Sequence, residues 1–176
     1  MSKHLWPFIR LKADTEEKLR EAYRKIYLEN YVKTKDGKEI ELYDWHGNRI
    51  HFGSYSSVFD HAFSESADYR TSCGIHEISF SKERARRILW IKEVLKASKG
   101  TIERRSQTKR GYSPNRLKQR RILIVLEENY VVVLEKVEKK ETLYFISAFP
   151  ADNGYIKKIR SDGGLLEVKS PSLNGD

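Results

Sequence analysis

At 176 residues, with 39% hydrophobic and 34% charged side chains, the chain is long enough to bury a core without staples and too polar for a membrane protein. The longest apolar run, 122–126, is far too short to span a bilayer, and the first residues offer no continuous apolar stretch for a signal sequence. Cys73 is the only cysteine, which excludes an internal disulfide and any zinc site that needs a Cys pair. The expectation is one cytoplasmic domain, 1–176, with no membrane partner, no metal and no cofactor.

Asp14-Thr15-Glu16-Glu17 reads as a helix start, with a capping side chain followed by acidic residues in the first turn. Leu19, Ala22, Tyr23, Ile26 and Tyr27 then recur at helical spacing and mark a core face. The period changes to two at Glu39-Ile40-Glu41-Leu42-Tyr43 and Arg49-Ile50-His51-Phe52, which flank a Gly- and Asn-bearing turn and predict a small hairpin. A short helix is expected over 58–63, followed by a polar segment. Ser81 is placed to cap a longer helix over 82–97, with Ala85, Ile88, Leu89, Ile91 and Leu95 as its buried stripe.

Residues 98–120 lack periodicity and have the composition of a loop, so a long basic loop is predicted there. Strands follow at 121–126, 130–137 and 142–149. Their short connections make them sequential antiparallel neighbours, and their apolar density calls for burial on both faces. The tail from about 168 to 176 is expected to fray. The resulting fold class is α+β: an N-terminal helix and small hairpin, then a basic helix packed on a C-terminal antiparallel sheet.

The formal charge of +9 is unevenly placed: residues 82–121 hold 15 Lys or Arg and 3 Glu, a local +12 that leaves −3 for the rest. A directional field of this kind attracts and aligns a polyanion, and nucleic acid is the obvious one; a solvated helix face followed by a loop is the plainer alternative. Cleavage of RNA through its own 2′-hydroxyl needs only a base, an acid and groups that hold the phosphorane charge. Metal-dependent cleavage needs clustered carboxylates, and the acidic residues here are scattered.

His61 lies between Phe59 and Phe63, where partial desolvation and Asp60 or Glu65 can tune an imidazole toward neutrality; a core histidine bonded to backbone fits the sequence equally. His51 is the reserve candidate. Arg86, Arg87 and Trp90 cluster at one-turn spacing beside Arg84, and they suit either phosphate and base contacts or an Arg draped on a core Trp. Arg121 can aim its fork at the same cleft. Ser147 interrupts the apolar run of the last strand and suits a phosphate contact or a backbone-bonded core Ser; Tyr144 and Tyr155 are further contact candidates.

The order of Phe59-Asp60-His61-Ala62-Phe63, the helix opening Phe80-Ser81-Lys82-Glu83-Arg84-Ala85-Arg86-Arg87, and the meander ending Phe145-Ile146-Ser147-Ala148-Phe149-Pro150 resembles the barnase–EndoU–colicin–RelE-like ribonuclease superfamily, especially its phage-associated branches. The resemblance spans about residues 39–155. It implies metal-independent RNA cleavage leaving a cyclic phosphate, with His61, Arg86 or Arg87, and Ser147 at the matching positions. The expected function is therefore an endoribonuclease, in the role of a toxin or phage-conflict effector. His61, Arg87 and Ser147 are its catalytic candidates, and Arg84, Arg86, Trp90, Arg121, Tyr144 and Tyr155 its substrate contacts. RNA is the expected partner; a larger substrate such as tRNA and an accompanying inhibitor protein stay open. The alternative is a non-catalytic RNA- or DNA-binding module.

Overall fold

In the computed structural model, which describes residues 3–65, 79–110, 117–137 and 140–171, five helices surround a seven-stranded curled sheet. Helix α1 (Glu16–Tyr27) starts where the Thr15 hydroxyl accepts from Lys18 N at 3.2 Å, satisfying a backbone donor that has no partner within the helix. Its tyrosines bury their rings and spend their hydroxyls on distant backbone. Tyr23 donates to Ile9 O (2.8 Å) and Tyr27 to Gly53 O (2.8 Å). Tyr31, in the π-helical turn Leu28–Val32 that continues the helix, donates to Ile88 O (2.5 Å). One helix face thus anchors three other segments, and burial pushes the Tyr27 and Tyr31 phenols well above their ordinary range.

The small hairpin forms as β1 (Leu42–Tyr43) and β2 (Arg49–His51), and α2 (Ser56–Ala62) follows. The single helix expected over 82–97 is instead two, α3 (Lys82–Ala85) and α4 (Trp90–Lys96). Between them the winding tightens: Arg87 N bonds Arg84 O (3.2 Å), Ile88 N bonds Ala85 O (3.0 Å) and Trp90 N bonds Arg87 O (2.9 Å). Three-residue winding eclipses side chains at i and i+3, and this stacks Arg87 over Trp90.

The largest correction concerns the basic loop predicted at 98–120. Residues on either side of its centre form β3 (Ile102–Arg110) and β4 (Leu117–Val125), paired antiparallel from Ile102↔Val125 to Arg110↔Leu117. Strands β5 (Tyr130–Lys136) and β6 (Leu143–Pro150) complete the expected meander. A further helix, α5 (Asn153–Asp162), and strand β7 (Leu165–Lys169) were not foreseen, and β7 carries order into the stretch expected to fray. Cys73, the 138–139 turn and the last five residues lie outside the described residues.

The strand order is β1-β2-β6-β5-β4-β3-β7. All pairs are antiparallel except β2 with β6, so the hairpin joins the meander as a parallel neighbour in one mixed sheet. Alternation splits the side chains into two cores. Leu123, Val125, Val132, Leu134 and Phe145 face α1 to α4, whereas Ile122, Ile124, Val131 and Val133 face α5 through Ile156 and Ile159. Gly163 lets α5 turn back against β3, since a Cβ there would sit 1.7 Å from the Ser106 carbonyl oxygen. The sheet curls far enough for the β1–β2 turn to reach β7, where Trp45 Nε1 and His46 Nε2 both bond Glu167 and Arg104 lies 3.9 Å from Asp44.

Candidate nucleic-acid interface

Helix α5 is capped by Asp152, whose Oδ1 accepts from Tyr155 N at 2.7 Å. With only Ile156 and Ile159 buried, it covers one part of its sheet face and leaves the rest open. At its edge lies a cleft of about 450 Å³ bounded by α2, α3, the β3–β4 hairpin, β6 and α5. His61 and Glu65 enter from α2 and the segment after it, Arg84 from α3, Lys109 and Arg120 from the hairpin, and Lys158 from α5. Ser147, Phe149 and Tyr155 line the remaining wall.

Each cation is held differently. The Arg84 guanidinium sits 4.9 Å from the Phe149 ring centre and donates to Ala62 O at 3.3 Å, and burial lowers its pKa from the usual value. Lys109 and Lys118 are direct cross-strand partners on one face, with Gln107↔Arg120 the next pair on that face. Like charges directly opposite one another destabilise a sheet. The Lys109 ammonium is accordingly held below its ordinary pKa by burial and then by Arg120, Lys118 and Lys158. The Glu135 carboxylate stands 3.8 Å from both Lys118 Nζ and Arg120 Nε, beyond hydrogen-bond range. Among the described residues, Lys109 and Lys158 have no carboxylate within ion-pair reach.

Ser147 is opposite Val133 and points to the α5 side, because a bulge beside Leu134 shifts the β6 register at Ile146. The residue is 7% exposed, and among the described residues its hydroxyl has no hydrogen-bond partner. Tyr155 meets Phe149 edge-on at 5.5 Å and leaves 44% of its surface exposed at the rim. The cleft thus combines an imidazole, two carboxylates, a hydroxyl, four cations and an aromatic lip, groups of the kind that contact a phosphate and an attached base.

Of the residues singled out in the sequence, His61, Arg84, Ser147 and Tyr155 meet in this cleft. Arg86, Arg87 and Trp90 do not line it; they pack with the N-terminal arm. Arg87 is 8% exposed, bonds Glu83 Oε2 at 3.0 Å and lies 4.9 Å from the Phe8 ring and 5.2 Å from Trp90. Arg86 pairs with Glu83 at 2.7 Å and sits 4.4 Å from Phe8. Trp90 is 1% exposed and donates to Pro7 O. Arg121 has its side chain on the opposite sheet face beside Arg104; burial and that neighbour lower its pKa. Tyr144 shares the cleft's sheet face but lies farther along it, against His51 at 4.9 Å. His46 serves the clasp to β7, and His4 pairs with Glu128 at 2.9 Å.

Sequence reasoning missed Lys109, Arg120, Phe149 and Lys158, and named Glu65 only as a neighbour that tunes His61. The signal for the hairpin pair was the turn-type run Gly111-Tyr112-Ser113-Pro114-Asn115 centred between two basic stretches of equal length. Among the described residues no three His, Cys, Asp or Glu side chains converge to hold a metal ion, and no helix is long and apolar enough to cross a membrane. No protein-family model matches the chain, no curated protein matches it in sequence, and no solved structure matches it in fold.

Proposed function

We propose that this chain binds RNA in the α5-side cleft and cleaves it by attack of the 2′-hydroxyl on the adjacent phosphorus. The observation that carries this reading is the convergence of His61 and Glu65 with Arg84, Lys109, Arg120 and Lys158 around one cleft of about 450 Å³. The 2′-oxygen forms the new bond to phosphorus and the bond to the 5′-oxygen breaks, leaving a cyclic phosphate. A carboxylate is the natural acceptor of the 2′-proton, and an imidazolium the natural donor to the departing 5′-oxygen. Glu65 and His61 are thus the base and the acid. The four cations hold the charge that builds on the phosphoryl oxygens, an effect strongest where burial already withholds water, as at Arg84. Ser147 donates to a non-bridging oxygen and Tyr155 offers its ring to a base.

The test is incubation of end-labelled RNA with the protein in EDTA, followed by identification of product ends. The expected products carry 2′,3′-cyclic phosphate, and His61→Ala slows their formation by about 10²–10⁴-fold with the fold retained. Tight, salt-sensitive RNA binding without products would leave a non-catalytic nucleic-acid-binding module; cleavage indifferent to His61→Ala would place the chemistry elsewhere.

A further inference from the structure

The sheet register continues the cleft into a second surface. On the α5-facing side, Gln107, Arg120, Glu135, Tyr144 and His51 are successive Cα partners across β3, β4, β5, β6 and β2. Side chains of partnered residues share a face, so these five form one row. The row lies one step beyond Ile122 and Val133, the last strand positions buried beneath α5, and none of its members is in either core. At adjacent-strand spacing it is about 19 Å long. It begins at the Gln107–Arg120 pair, of which Arg120 also lines the cleft, beside the Lys109–Lys118 pair. It ends in two half-buried rings, Tyr144 and His51, set edge to face with centres 4.9 Å apart.

We infer that single-stranded RNA leaves the cleft along this open row, its backbone against Lys109, Lys118 and Arg120 and a flanking base against the His51–Tyr144 pair. The proposal rests on the cleft reading above and names its substrate class. A sheet face with cations at one end and paired rings at the other fits an unpaired strand, whose bases are free to turn onto a ring. A duplex keeps its bases stacked inward and offers such rings nothing to contact. Glu135, between the two halves and 3.8 Å from both Lys118 and Arg120, keeps those side chains over the row without hydrogen-bonding them.

The experiment measures binding of labelled 2′-O-methyl oligonucleotides, which lack the attacking hydroxyl, by fluorescence anisotropy. The probes are a trinucleotide, a single strand of about ten nucleotides, and that strand annealed to its complement. The longer single strand should bind at least tenfold tighter than the other two. Tyr144→Leu and His51→Ala should each remove about tenfold of that gain, the scale of one base stack, and leave trinucleotide binding unchanged. Tyr144→Phe should keep the gain, and His51→Ala alone carries the test if Tyr144→Leu fails to fold. Equal affinity for long and short strands, equal affinity for the duplex, or indifference to both variants overturns the proposal. Lys109→Gln separates the two levels of the argument: if it weakens trinucleotide binding while the longer strand gains nothing, the cleft stands and the row falls. If Lys109→Gln changes no binding at all, both fall.

Discussion

Two groups of basic residues, one on each side of the sheet, are held in opposite ways. On the side of α1 to α4, three arginines are absorbed into structure: Arg86 and Arg87 share Glu83 and lie over Phe8, and Arg104 reaches Asp44. On the α5 side, Lys118 and Arg120 share the loosely placed Glu135 while Lys109 and Lys158 have no carboxylate within ion-pair reach among the described residues, and Lys109 and Lys118 face each other directly across a strand pair. Local charge therefore does not identify a site; charge left uncompensated by its neighbours does. A fold that tolerates opposed lysines at a cost in stability recovers that stability when an anion arrives.

The sharpest way to break this contrast is Trp90→Ala. If Trp90 is a strut and not a base contact, removing its ring from Trp6, Phe8 and Tyr130 should cost about 3–5 kcal/mol in urea denaturation. RNA affinity of the remaining folded protein should be unchanged. Arg87→Ala comes next at about 2 kcal/mol, through weaker packing on Phe8 and the missing bonds to Glu83. It too should spare RNA binding. A fall in affinity at unchanged stability in either variant would move the interface to the N-terminal arm.

The double substitution of Lys109 and Lys158 by Gln should behave in reverse. Relieving mutual repulsion leaves stability unchanged or raised by about 0.5 kcal/mol. RNA affinity falls, and the slope of log affinity against log salt shrinks by about 0.7 for each phosphate no longer neutralised. A drop in melting temperature alongside the weaker binding would mean that these lysines support the fold.

The α+β class was legible because its signals are local: helical spacing from Leu19 to Tyr27, alternation around the β1–β2 turn, and dense apolar strands in β5 and β6. The β3–β4 hairpin was not, because Arg104 to Lys109 includes no apolar residue to alternate. Its pairing is dictated by β4 and by Arg160 of α5, which bonds Glu103 at 2.8 Å from 57 positions away. Helix α5 was hidden for a similar reason, with Ile156 and Ile159 as its only buried residues. Among site candidates, residue type and neighbourhood singled out His61 and Ser147. The same reasoning could not separate Arg84 from Arg87. What separates them is Phe8, brought in by a remote arm, together with a tightened turn that composition does not reveal.

The smallest expected effect concerns the clasp where the curled sheet brings its two edges together. Glu167 accepts from His46 and from Trp45 Nε1, with Arg104 nearby, and these hold its pKa below the ordinary 4.5, the His46 bond contributing most. A carboxyl with a depressed folded-state pKa stabilises the fold above its unfolded value and loses that contribution as pH falls through the folded one. Glu167→Gln should therefore cost about 0.5–1 kcal/mol near neutral pH, the upper range for a partly exposed pair. The difference from the parent protein should persist down to about pH 4.5 and fade as pH drops from there through the lower folded-state value. Because the clasp lies away from the α5-side cleft, RNA affinity at pH 7 should not change. If affinity fell with stability, the curl of the sheet would be setting the spacing of Lys109, Arg120 and Lys158, and the two sides of the sheet would be mechanically one.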